Sequence, residues 1–198
     1  MSKIICFIYT ETNGLHKTNS NVSKKNIYAF AKLVALNYMI GLRENNKFKQ
    51  IKKVRKIIKP KCINFSQEAI NYHGISRKKA EQKGEDIIDV MNTFKQDLSN
   101  VQVIISHNLP FHIRTLQVEC FKTCTYINFN DYILIDTINF YHDFEYPRLR
   151  ILAKNLLNKD FSKKSPKFNL AIIKKVFLKL YSNYEKKIEN EKKNIFDI

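Results

Sequence analysis

Apolar residues fall in short β-favouring runs over the first third of the chain and at helical spacing over the rest. Ile4 to Ile8 is apolar and stops at Glu11, followed by a polar turn with Gly14. This is the pattern of a buried strand that delivers an acid to its carboxyl end, where α/β sheets keep ligand sites. His16 to Lys25 reads as a polar, basic loop. Ile27 to Ile40 is a long apolar run; its periodicity suits helix or strand, and Phe30, Val34 and a stop at Gly41 favour strand. Phe48 to Lys59 interleaves Lys and Arg with Ile and Val and predicts a third strand ended by Pro60.

Beyond it the period changes. Ser66 to Tyr72 predicts a short helical turn, and Ser76 caps a helix from Arg77 that Gly84 interrupts. Ile87, Met91, Phe94 and Leu98 mark a core-facing stripe, and Val101 to Ser106 is a compact central strand. His107-Asn108 opens a helix with Ile113, Leu116 and Cys120 inward, and Tyr132 to Ile138 predicts another strand. Pro147 starts a helix carrying Leu149, Leu152, Ala153 and Leu156. A basic loop from Ser162 to Lys167 precedes a last helix from about Phe168 to Tyr181. The expected order is β-β-β-α-β-α-β-α-α in one domain over 1–182, with a charged tail over 183–198 that is helical or frayed.

Charge changes the picture. Thirty-five Lys and Arg against eighteen Asp and Glu give a net charge of +17. This suits a polyanion-binding surface, because basic side chains release counterions from phosphates. Abundant Lys, Asn, Ile, Tyr and Phe also fit an AT-rich coding bias, which raises the lysine count whatever the function. The basic segment from Phe48 to Lys59 reads equally as phosphate contact, with Lys52, Lys53, Arg55 and Lys56 as candidates, or as a solvated edge strand protected by its lysines. The four cysteines, Cys6, Cys62, Cys120 and Cys124, show no zinc-ligand spacing and predict free, mostly buried thiols in a reducing, intracellular setting. No run approaches the ~18 apolar residues of a membrane span, and no signal-peptide layout follows Met1, so no membrane partner is expected.

Three stretches carry chemistry: Tyr9-Thr10-Glu11-Thr12-Asn13-Gly14-Leu15, His107-Asn108-Leu109-Pro110-Phe111-His112, and Asn169-Leu170-Ala171-Ile172-Ile173-Lys174. Together, over roughly Ile4 to Tyr181, they resemble the three-part signature of the DEDD-type 3′–5′ exonucleases. The resemblance implies an α/β, ribonuclease H-like fold: a five-stranded mixed sheet, three antiparallel strands then a parallel pair, flanked by helices. It also implies a site where a quartet of carboxylates holds paired divalent metal ions, with a fifth residue positioning the attacking water.

Here the acids are missing. The first motif, Asp-x-Glu, keeps only Glu11, with Tyr9 at the aspartate position. The second, His-Asn-x-x-Phe-Asp, ends on His112. The third, His-x-Ala-x-x-Asp, has Asn169 and Lys174 at its functional positions; a rival register from Lys167 places Ile172 at the acid. Such a site lacks the oxygens that magnesium needs, so no metal ligands and no cofactor are expected, with Mg²⁺ or Mn²⁺ required only if the protein is active.

What remains implies binding: Thr12 and Leu15 beside a terminal nucleotide, Asn108 at the turn, and Phe111 stacking on a base or packing in the core. Lys174 is expected either to pair with Glu11 or to reach solvent from the helix surface. His73, in Tyr72-His73-Gly74, reads as a capping or packing histidine, and Asp136 at a strand end is an acid outside the motifs. The expected function is a catalytically inactive exonuclease-like protein that binds nucleic acid or a replication or transcription assembly. The alternatives are an active metal-dependent exonuclease with a rearranged site, and a purely structural protein-docking subunit.

Overall fold

A computed structural model describes residues 3–44, 47–61, 64–140, 147–161 and 165–196, without the side chains of 140, 167 and 183–196. Cys62 and residues 162–164 of the expected basic loop lie outside the described residues. The sheet has five strands, β1 (Lys3–Thr12), β2 (Leu33–Glu44), β3 (Lys47–Ile57), β4 (Val103–Ser106) and β5 (Ile133–Asp136), in the order β3-β2-β1-β4-β5. β1 runs antiparallel to β2 and parallel to β4, and β4 is parallel to β5. The helices are α1 (Gln67–His73), α2 (Arg77–Lys83), α3 (Ile87–Asp97), α4 (Leu109–Thr123), α5 (Leu149–Leu157) and α6 (Asn169–Phe196).

The alternating side chains of β1 supply two cores. Cys6 and Ile8 join Leu36, Tyr38 and Ile104 under Met91, Phe94 and Leu116 of α3 and α4. Ile5 and Phe7 face the other way, joining Met39 and Ile105 under Leu170, Ile173 and Phe177 of α6. Each fully buried side chain of this size contributes about 1.5–3 kcal/mol. The cap expected at Ser76 forms, its side chain accepting the Lys79 N–H, and Ser66 and Asp86 likewise accept the Ala69 and Ile88 N–H groups.

Some boundaries differ from the sequence expectation. The Ile27–Ile40 run is not one strand, because Ile27–Ala29 forms a 3-10 turn and β2 begins at Leu33. Gly41 does not stop β2. It lies where the β2–β3 register shifts, and a Cβ there would meet the Lys49 carbonyl at 2.4 Å and the Phe48 ring at the same distance. The fifth strand is shorter than expected and passes into a 3-10 turn, Thr137–Phe140. α6 continues past Tyr181 to Phe196 as one helix. The thiols are less buried than expected: Cys6 is buried, Cys120 is half-buried, and Cys124 is exposed at the left-handed end of α4. Among the described residues no helix is long and apolar enough to cross a membrane.

Candidate functional site

The carboxyl ends of β1, β4 and β5 meet at one edge of the sheet. The last β1–β4 pair is Phe7 with Ile105, and the Ser106 hydroxyl then donates to the Ile8 carbonyl at 2.7 Å. Past that point β1 has no β4 partner, and α4 fills the gap with His112. Its Nδ1 accepts the Thr10 backbone N–H at 3.1 Å and lies 2.7 Å from the Thr10 hydroxyl. A backbone N–H can only donate, so Nδ1 is the unprotonated nitrogen of a neutral ring. Burial, first of all, pushes the His112 pKa down from 6.5 to about 3.

Two further groups secure this edge. The His107 ring is buried, with Nδ1 2.9 Å from the Thr137 hydroxyl and Nε2 donating to the Pro147 carbonyl at 2.8 Å. It therefore ties β4 to the segments on either side of the 141–146 stretch, rather than closing its own turn. Asp136 accepts N–H bonds from Asn108 (2.9 Å), Leu109 (2.8 Å) and Ile138 (3.1 Å), so the acid outside the motifs is the cap of α4. Asn108 contributes no side-chain cap and takes a left-handed conformation, φ 60°. Replacing Asp136 with Ala should lower stability by about 2 kcal/mol, read as a fall in the urea midpoint at unchanged slope. An unchanged midpoint would contradict this role.

Between this edge, α1 and the start of α5 lies a cleft of about 980 Å³. Tyr9, Glu11, Thr12, Leu15, Asn108, Phe111, His112 and Asn169 all line it, so the motif residues converge. Glu11 is 2% exposed, and its Oε1 has no hydrogen-bond partner. Burial raises its pKa from 4.5 to about 7, against a smaller opposing pull from Arg55. Tyr9 stays protonated, its pKa raised by burial and then by Glu11. Its hydroxyl is 3.2 Å from that of Tyr72, which accepts the Asn169 side-chain amide at 3.2 Å. Asn169 in turn accepts from Arg150 at 3.5 Å. The positions that resemble aspartate and general base thus hold the uncharged Tyr9 and Asn169, joined through Tyr72, with the Arg150 guanidinium at the end of the chain.

Lys174 does not pair with Glu11. Its Nζ sits 5.5 Å from the Phe48 ring centre, and Phe48 packs edge-on against Phe7. Glu11 lies four residues beyond Phe7, about 13 Å along the strand from it. The cation acting on Glu11 is Arg55, two strands over. The basic segment divides by strand alternation. Lys53 and Arg55 pair with Met39 and Asn37 on the Tyr9–Glu11 side, whereas Lys52 and Lys56 face the other core. There they form ion pairs, Lys52 with Asp97 at 2.6 Å and Lys56 with Glu85 at 2.7 Å. Because they are partly exposed, these pairs contribute little to stability.

Phe111 has one face taken: His16 stacks on it with ring centres 4.2 Å apart. Leu15 is 84% exposed at the lip of the cleft, and the Thr12 hydroxyl donates to the Gly14 carbonyl. His73 is a turn histidine, as expected; its Nδ1 accepts the Ile75 N–H at 3.0 Å, next to Gly74 at φ 69°. Sequence reading missed Tyr72, Arg148, Arg150 and a second acid, Glu68 of α1, all in the cleft wall. Their only signal was position, next to His73 and to Pro147.

These side chains do not suit a pair of magnesium ions. Tyr9 and Asn169 are neutral, the His112 Nδ1 is committed to Thr10, and the described cleft wall holds two acids, Glu11 with its unpartnered Oε1 and Glu68 of α1, short of the set that two magnesium ions take. No group of three or more His, Cys, Asp or Glu able to hold a metal occurs among the described residues.

The strand order, the parallel β1–β4–β5 set and the converging strand ends define the ribonuclease H-like fold of the DEDD-type exonucleases. Among solved structures, exonuclease I is similar at TM-score 0.70 and 13% identity over 91% of this chain. E. coli exonuclease I in complex with a dA16 oligonucleotide gives TM-score 0.67 at 14% identity. A 3′-exonuclease described with 3′-end specific recognition of a histone mRNA stem-loop gives TM-score 0.66 at 12% identity. The chain spans 41% of those two exonuclease I chains and 82% of the 3′-exonuclease. No protein-family model and no curated protein matches the sequence.

Proposed function

We propose that this protein uses an exonuclease-type cleft to hold the end of a single-stranded nucleic acid without hydrolysing it. The observation that carries this reading is the exchange at the motif positions. Tyr9, His112 and Asn169 are bonded to each other's neighbours or to the backbone, while the cleft itself stays open. Arg148 and Arg150 in the wall supply positive charge to phosphates, and the exposed Leu15 and half-buried Phe111 offer apolar contact to a terminal base. Glu11 Oε1 is placed to accept a hydrogen bond from a sugar or base donor. The net charge of +17 favours a polyanion.

The raised pKa of Glu11 also suits a working acid, which keeps an active exonuclease as the second reading. End-labelled single-stranded DNA and RNA, incubated with the protein and Mg²⁺ or Mn²⁺, should stay intact in both wild type and Glu11→Gln. Binding should favour single over double strands and weaken as salt rises. Shortening of the strand by wild type and not by Glu11→Gln would establish the active reading instead.

A further inference from the structure

The cleft does not end at Leu15. Gly14 and Leu15 are shared with a second groove of about 320 Å³, which Lys17, Tyr28, Lys32 and Asn64 also line. We propose that this groove carries the strand onward from the cleft, with a base stacked on Tyr28 and phosphates beside Lys17 and Lys32. The inference rests on the reading of the cleft as a single-strand site.

The groove is built rather than incidental. Its two walls are the turn after β1 and the segment leading into β2, and hydrogen bonds lace them together. Asn13 donates its N–H to the Lys32 carbonyl at 3.1 Å, and its side-chain oxygen takes the Lys32 N–H at 2.7 Å. Lys17 N–H reaches the Ala29 carbonyl at 2.8 Å, and His16 Nδ1 accepts the Ala31 N–H at 3.0 Å. The Asn13 amide also donates to the Asn64 carbonyl at 2.9 Å. A platform fixed in this way presents its side chains with little ordering left to do on binding.

What it presents has one chemical match. Tyr28 is 78% exposed on the Ile27–Ala29 turn, so its ring is available to a partner. From residue 12 to residue 43 the chain carries no Asp or Glu, while Lys17, Lys24, Lys25 and Lys32 fall within it. An aromatic face among cations, with no competing acid in the segment, is what an unpaired strand uses: bases stack and phosphates pair. A duplex presents no free base face to such a ring.

The test is anisotropy with labelled single strands of about three and about fifteen nucleotides, lengths that bracket the usual span of one binding fold. Tyr28→Ala should weaken the long strand by about 5- to 100-fold and leave the short one unchanged, while Tyr28→Phe binds as wild type. Because Tyr28 is highly exposed these variants should fold as wild type, and a matching thermal unfolding curve checks it. The Lys17→Ala/Lys32→Ala pair should reduce the log–log salt slope for the long strand by about 1.4. Unchanged long-strand affinity in Tyr28→Ala, with wild type binding both strands, overturns this inference and leaves the cleft reading standing. Displacement of the long strand by polyglutamate as readily as by unlabelled strand of equal charge also overturns it. Wild type that binds neither strand overturns both readings.

Discussion

Glu11→Gln should make the protein more stable at pH 8 and leave it almost unchanged at pH 4. The sign follows from linkage. Glu11 has a pKa of about 7 when folded against 4.5 in the unfolded chain, so the folded state holds its proton more tightly. Its contribution is fully present below pH 4.5 and is lost as pH rises through 7. That displacement corresponds to about 3 kcal/mol. Glutamine removes the ionisation and keeps the shape. Any cost of burying its amide is the same at every pH, so the pH dependence isolates the carboxylate. Urea unfolding of both proteins at pH 4, 6 and 8 measures it. An equal stability difference at all three values would refute a buried, unpaired Glu11. The same carboxylate is the group a bound donor would satisfy, so an oligonucleotide end that reaches Oε1 should narrow the gap.

His112→Ala should cost about 3 kcal/mol at pH 7, because it opens a cavity beside Tyr9 and strands the Thr10 N–H in the gap where β1 and β4 part. His112→Asn, whose oxygen can reach that N–H, should recover part of the loss. The pH dependence is opposite to that of Glu11. A histidine lowered from 6.5 to about 3 stabilises fully above pH 6.5, and the contribution is lost as pH falls through 3. Between 4.5 and 6.5 these two slopes oppose each other, while His16, His73 and His107, also lowered by burial, add to the rise of stability with pH. The alanine variant should then lose less stability than wild type on going to pH 3. A variant with the wild-type acid limb would show that His112 is not the buried neutral group described here.

Around the cleft a neutral imidazole fastens α4 to β1, and the Tyr9 and Tyr72 hydroxyls and the Asn169 amide are joined by hydrogen bonds in its wall.

By itself the sequence determined the element order, the buried first strand and, through the motifs, the convergence of Tyr9, Glu11, Asn108, Phe111, His112 and Asn169. These depend on local period, on caps such as Ser76, and on short motifs whose spacing survives substitution. Only the tertiary structure decided which charges meet. Arg55 rather than Lys174 acts on Glu11, and Lys52 and Lys56 turn away to Asp97 and Glu85. Asp136 became a cap for a helix that starts 27 residues earlier. Register across β2 and β3, set partly by the bulge at Gly41, assigns each basic side chain to a face, and a one-residue slip would exchange them. Pairings of this kind join positions far apart in the chain, and no local pattern of hydrophobic and polar residues encodes them.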